Sequence, residues 1–401
     1  MVKYRAWIIW LVMAAVLATC FITATPVYAT SLADIIGKST SSGIGIFDVL
    51  LGLLVGNLLS KIPDLSPNSG GAFNLPGKQA GSSGKDVMGF YAEWWGTDTS
   101  SYSSMIKNKD TIKTIIPFWA TVKADGSISD RGGNDHAAVV KAAKKNNITS
   151  LLLVNNASQN DKVSPIHTML NDPALRATTI DNLEAYLKKY KLEGINIDFE
   201  MVPPEDKDHL TAFMRELSTR LKPAGYVVSI DVFPKTNENN DVSMAYDYAE
   251  LAKYADKIVI MAYDNHGTWS NSGPIADVRW VEENLKYALK FIPKNKLYLG
   301  IAGYGYDWSS KGVKSLEYGA ISELVNQFDI AVNWDEPSQS PTFTYTGSDG
   351  VKHTVWYENR ESLKFKLDLV NKYDVAGVAL WKLGEEDPGY WQVFKDKLHL
   401  K

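Results

Sequence analysis

Short apolar runs alternate with helical patterns along most of the chain. Val87-Met88-Gly89-Phe90-Tyr91, Thr114-Ile115-Ile116-Pro117-Phe118, Ser150-Leu151-Leu152-Leu153-Val154 and Ile195-Asn196-Ile197-Asp198-Phe199 are the first four. Val227-Val228-Ser229-Ile230-Asp231, residues 258–263, residues 297–301 and residues 375–381 follow. Each has the length and β-branched content of a buried strand. Between them apolar residues recur every three or four positions. Leu210, Phe213, Met214, Leu217 and Leu221 predict one helix, stopped by Pro223-Ala224-Gly225. Strands alternating with helices over residues 86–401 predict a single (β/α)8 TIM barrel of the α/β class.

The seventh and eighth runs start 78 residues apart, at 297 and 375, whereas the fifth and sixth start 31 apart, at 227 and 258. The excess predicts an α+β insertion between strand 7 and strand 8. Its end reads as a hairpin, Thr342 to Tyr345 turning through Gly347-Ser348-Asp349-Gly350 into Val351 to Trp356. An insertion at that end of a barrel builds a wall beside the site.

Ahead of the barrel the pattern changes three times. Lys3 and Arg5 precede an apolar run from Ala6 to Phe21 and small residues ending at Ala29, which reads as an export signal over residues 1–29 and places the protein outside the cell or on its envelope. Residues 30–65 form a second apolar segment. Its uncharged run, Val49 to Ser60, falls short of the roughly 20 residues that span a bilayer. Residues 44–62 therefore predict a packed helix or a membrane-surface contact. From Ser66 to Lys85, 11 of 20 residues are Gly, Ser or Pro, the composition of a flexible linker.

Composition removes several functions. With 42 Lys plus Arg against 46 Asp plus Glu the net charge is −4, which offers no basic field for nucleic acid. The single cysteine, Cys20, lies inside the export signal, so disulfides and thiol catalysis are excluded from the exported chain. The six histidines show no metal-ligand spacing, and no phosphate loop, dinucleotide fingerprint or Gly-x-Ser-x-Gly elbow is present, so neither metal nor cofactor is expected. No heptad or symmetric patch stands out, which leaves a monomer as the expectation.

The fourth run carries the chemistry. Alternation puts Asn196, Asp198 and Glu200 on one face, at the C-terminal end of a barrel strand, where barrel enzymes react their substrates. Two neighbouring carboxylates repel, so one holds its proton more tightly and can serve as a general acid. Tyr91 and Phe118 end the first and second runs at the rim of the site, where packing is at least as open as sugar contact. Trp94, Trp95, Tyr304, Trp308 and Trp356 are read as lying on the following loops, where packing and sugar contact are equally open.

Glu193-Gly194-Ile195-Asn196-Ile197-Asp198-Phe199-Glu200 resembles the Asp-Gly-x-Asp-x-Asp-x-Glu signature of glycoside hydrolase family 18, the chitinase family. Glu193 and Asn196 depart from it; Asp198 and Glu200 keep it. Met261-Ala262-Tyr263-Asp264 looks like the family's sixth-strand motif, and Trp381 stands where the family keeps a tryptophan under the sugar. Tyr304-Gly305-Tyr306-Asp307-Trp308, Val355-Trp356-Tyr357-Glu358 and Trp381-Lys382-Leu383-Gly384 resemble the spore-germination, cortex-lytic branch.

The resemblance implies retaining hydrolysis of a β-1,4 bond beside N-acetylglucosamine, in peptidoglycan or a chitin-type glycan. The substrate's own acetamido oxygen attacks the anomeric carbon, an exception to the two-carboxylate scheme. Under it Glu200 protonates the leaving oxygen and Asp198 orients the acetamido group. Tyr263 hydrogen-bonds its carbonyl and Trp381 floors the distorted sugar; Asp264 adjoins as a substrate contact or a tie within the tyrosines. Asn196, being an amide, cannot share a proton with Asp198, which makes an altered pH profile an expectation. The rival readings are a barrel that binds such glycans without cleaving them, and an envelope protein in which the barrel is a spacer.

Overall fold

The structure, a computed structural model, describes residues 84–93, 98–156, 164–238, 241–398 and 400. The expected export signal, the apolar segment, nearly all of the linker, Trp94 and Trp95 lie outside the described residues.

The barrel is built by β1 (Asp86–Tyr91), β2 (Thr114–Val122), β4 (Thr149–Asn156), β5 (Gly194–Asp198), β6 (Val227–Val232), β7 (Lys257–Ile260), β8 (Leu297–Ala302) and β14 (Gly377–Trp381). They run parallel in that order, and β1 pairs with both β2 and β14, so the sheet closes on itself. All eight expected strands are present. β3 (Ile128–Asp130) is a short antiparallel partner of the end of β2.

Alternation sorts every barrel strand into two layers. Ile195 and Ile197 of β5 and Val228, Ile230 and Val232 of β6 pack outward in the layer shared with the helices. Met88, Phe90, Ile116, Leu153, Val259, Tyr298 and Ala379 fill the interior. The outer layer is sealed by helices such as α1 (Ser100–Lys107), α2 (His136–Lys145), α3 (Pro165–Asn171), α4 (Pro173–Tyr190) and α5 (Lys207–Leu221). In α5 the five residues expected on the apolar face, Leu210, Phe213, Met214, Leu217 and Leu221, are all buried. The chain leaves it through Gly225, whose φ of +88° is costly for any residue with a Cβ.

The insertion is larger than the spacing suggested, because it begins directly after β8. β9 (Tyr304–Ser309) and β10 (Gly312–Glu317) form a hairpin, a helix covers Tyr318–Gln327, and β11 (Asn333–Asp335), β12 (Ser340–Thr346) and β13 (Lys352–Tyr357) complete an antiparallel sheet in the order β10-β9-β13-β12-β11. The expected hairpin is its β12–β13 pair, with Thr342 opposite Trp356 and Thr346 opposite Lys352. Tyr304, Trp308 and Trp356, read from the sequence as loop residues, lie on β9 and β13. Their aromatic and β-branched neighbours pair edge to edge across those strands. Among the described residues no helix is long and apolar enough to cross a membrane.

Candidate active site

β5 delivers its chemistry to the C-terminal mouth of the barrel. With Ile195 and Ile197 turned outward, Asn196 and Asp198 face the interior, 0% and 7% exposed. Glu200 lies two residues beyond the strand and is half-buried. Its backbone is clamped by Asn156 at the end of β4. The Glu200 amide donates to Asn156 Oδ1 at 2.8 Å, and Asn156 Nδ2 donates to the Glu200 carbonyl at 3.0 Å. Tyr246 donates its hydroxyl to the Phe199 carbonyl at 2.5 Å, so the segment carrying Glu200 is held on both sides.

A second interior carboxylate comes from the neighbouring strand. Asp231 of β6 is 1% exposed and accepts a hydrogen bond from Asn196 Nδ2 at 2.6 Å. Burial pushes the Asp198 carboxyl up to about 7. The Asp231 carboxyl is raised well above the ordinary carboxylate range, by burial first and then by the charge of Asp198. The sequence run that ends in Asp231 shows the necessary signal, since Ser229 and Asp231 are polar at alternate positions of an otherwise apolar strand. Asn156 carries no such signal. Its role depends on the register of β4 against β5, where Asn155 stands opposite Asp198.

Beyond β7, Tyr263 and Asp264 follow the strand as expected. The Tyr263 hydroxyl is raised well above its ordinary range, by burial first and then by the charges of Asp231, Asp198 and Glu200. Asp264, at φ +56°, adopts the left-handed conformation that Asp tolerates better than most residues. Its Oδ1 accepts from the hydroxyls of Tyr304 at 2.6 Å and Tyr306 at 3.2 Å. Asp264 thus ties the mouth of the barrel to the inserted sheet. Gly300 on β8 makes room for Tyr263: a Cβ there would sit 2.9 Å from the tyrosine Cε1 and 2.6 Å from the Ile260 carbonyl oxygen.

Trp381 ends β14 half-buried, 5.3 Å from Phe90 and 6.2 Å from Phe118 between ring centroids. It also packs against the aromatic face of the inserted sheet, Tyr304, Tyr306 and Trp308 with Trp356. Trp308 is fixed there by its indole N–H, which donates to the carbonyls of Gly267 and Ser270.

Two aromatic expectations need correction. Tyr91 does not face the interior: it is completely buried in the outer layer, with its hydroxyl donating to Glu93 Oε1 at 2.9 Å. Alternation on β1 gives the inward position to Phe90 instead. Phe118 does face the interior beside Trp381, but it does not end its strand, since β2 continues to Val122 and turns back through β3.

That hairpin brings in a residue the sequence reading missed. Arg131 follows β3, is exposed, and sets its guanidinium carbon 3.9 Å from the centre of the Phe118 ring. Among the described residues its guanidinium has no carboxylate partner. Nothing in its local sequence, Asp130-Arg131-Gly132-Gly133, distinguishes it from a surface arginine. No cluster of metal-binding type occurs among the described residues.

The mouth of the barrel therefore gathers a clamped, half-buried glutamate, two buried carboxylates, a half-buried tyrosine and a tryptophan face. An acid, an anion and an aromatic floor within one cleft suit the cleavage of a sugar linkage.

Comparison with known proteins agrees. The profile of "Glycosyl hydrolases family 18" matches residues 86–386. An uncharacterized glycosylase, YvbX of Bacillus subtilis (strain 168), is 33% identical over 309 residues, 74% of this chain and 88% of its own length. The cortical fragment-lytic enzyme of Bacillus anthracis is 30% identical, over 68% of this chain and 64% of its own length, just under two thirds. The crystal structure of a chitinase from Chromobacterium violaceum ATCC 12472 superposes with a TM-score of 0.73 at 27% identity, covering 79% of this chain and 100% of that one.

Proposed function

The chain belongs to glycosyl hydrolases family 18 and is a glycosidase, and from that premise we propose that it cleaves β-1,4 bonds beside N-acetylglucosamine in peptidoglycan by substrate-assisted catalysis. The observation that carries this reading is Glu200, held by Asn156 at the mouth of the barrel next to Asp198. In the proposed reaction the acetamido oxygen bonds to the anomeric carbon while the glycosidic bond breaks. The Glu200 proton goes to the leaving oxygen. Water then attacks the same carbon, giving its proton back to Glu200 and opening the oxazolinium ring. Asp198 orients the acetamido N–H and balances the developing positive charge. Tyr263 donates to the acetamido carbonyl oxygen, and Trp381 supports the distorted ring.

Peptidoglycan is favoured over uncharged chitin by Arg131. A guanidinium stacked on an aromatic ring at the cleft, with no carboxylate partner among the described residues, suits the lactyl or peptide carboxylates that peptidoglycan carries and chitin lacks. The cortical fragment-lytic relatives point the same way. Export and a membrane-surface tether through residues 44–62 belong to the same proposal.

The test is release of reducing ends from cortex peptidoglycan, vegetative peptidoglycan and a chitin oligomer, with Glu200→Gln protein alongside. Cleavage that disappears in the variant, fastest on peptidoglycan, supports the reading. Binding without cleavage by the parent protein would replace it with a lectin-like role.

A further inference from the structure

Asp231 is a carboxylate that the scheme above does not use. The β5–β6 register pairs Asn196 with Ser229 and Ile197 with Ile230, so the next step sets Asp198 level with Asp231. Ile230 and Val232 point outward, which turns Asp231 into the interior on the same side as Asp198. One Asp231 oxygen receives the Asn196 amide at 2.6 Å. The other, like Asn196 Oδ1, has no hydrogen-bond partner among the described residues.

The groups facing Asp231 are Asn196 and Asp198 on β5, Glu200 just beyond it, and the hydroxyls of Tyr246 and Tyr263. None of them is a cation. A buried carboxylate ion served by one amide donor is costly, and a second ion beside it is costlier. A single proton between the two carboxyls relieves both costs.

On the substrate-assisted reading above, we propose that Asp231 is a positioning residue that shares one proton with Asp198, supplying from the adjacent strand the carboxyl partner that Asn196 cannot be. With the proton on Asp231, Asp198 is the anion that the acetamido N–H and the oxazolinium charge require. The proton is kept through both half-reactions, because the leaving oxygen is served by Glu200. Asn196 is then the donor that fixes Asp231 in place, and the carboxyl pair spans the two neighbouring strands.

The sign of the pH dependence follows. Both folded-state carboxyls are raised above their unfolded values, so between the ordinary carboxylate range and about pH 7 the folded protein holds more protons than the unfolded chain, and stability falls as pH rises. Over that window the pair's contribution to stability is lost, and hydrolysis falls when the shared proton leaves.

The experiment measures, from pH 4 to 9, the thermal midpoint and the kcat and KM for a chitin oligomer. It compares the full chain with Asp231→Asn and with the double variant Asn196→Asp/Asp231→Asn. In Asp231→Asn we expect kcat to fall at least tenfold with KM within about threefold, and the decline of midpoint with pH to flatten. The double variant, with a carboxyl returned to β5, should regain kcat to within a few-fold and recover the declining midpoint. An Asp231→Asn protein that keeps both the parental alkaline limb and the parental midpoint decline overturns the proposal. If the parent cleaves nothing, the hydrolytic reading fails by itself. The midpoint titration still decides the shared proton, flattening in Asp231→Asn if it exists and staying parental if it does not.

Discussion

Asn156 holds Glu200 by both ends of its side-chain amide, accepting from the Glu200 N–H at 2.8 Å and donating to the Glu200 carbonyl at 3.0 Å. The contact reaches from the end of β4 to a residue just past β5, so it sets the height and direction from which the carboxyl enters the cleft. Such positioning is worth much when the reacting atoms must lie about 3 Å apart.

Asn156→Ala removes both bonds from the part-buried Glu200 backbone. We expect kcat to fall about 10–100-fold through misplacement of the acid, with KM changed only a few-fold. Stability should drop by about 1–3 kcal/mol. Steady-state kinetics and denaturant unfolding check this; an unchanged kcat would show that Glu200 needs no clamp.

Arg131→Met keeps the apolar stem over Phe118 and deletes the charge. Turnover of peptidoglycan should fall about tenfold or more relative to a chitin oligomer, and the remaining activity should lose much of its salt sensitivity. Equal loss on both glycans would mean that Arg131 supports Phe118 rather than an anionic substrate.

Gly300→Ala drives a methyl group toward Tyr263 and the Ile260 carbonyl. Overpacking of this kind costs about 1–3 kcal/mol. Because the displaced ring carries the hydroxyl assigned to the acetamido carbonyl, kcat should fall alongside Tyr263→Phe. A stable Gly300→Ala protein with parental kcat would separate Tyr263 from the chemistry.

The eight barrel strands are legible because each is a buried apolar run, and the interior face of β5 is legible because polar residues fall at every second position along it. Tyr91 shows where that reading stops. An aromatic residue at a strand end looks the same whichever way it points, and only the strand's register with its neighbours gives the inward position to Phe90. β9 is hidden for a related reason: Tyr304-Gly305-Tyr306-Asp307-Trp308 puts aromatic residues at alternate positions, but of its two partners only β10 follows directly, and β13 is far away in sequence. Asn156 and Arg131 act through contacts that only the folded strands create.

The most direct measurement is the anomeric form of the first product released from a chitin oligomer, followed by proton NMR before mutarotation. Attack by the acetamido oxygen and then by water inverts the anomeric carbon twice, so the β-anomer should appear first, and its release should fall about 10²–10⁴-fold in Glu200→Gln. The α-anomer as first product would contradict substrate-assisted retention.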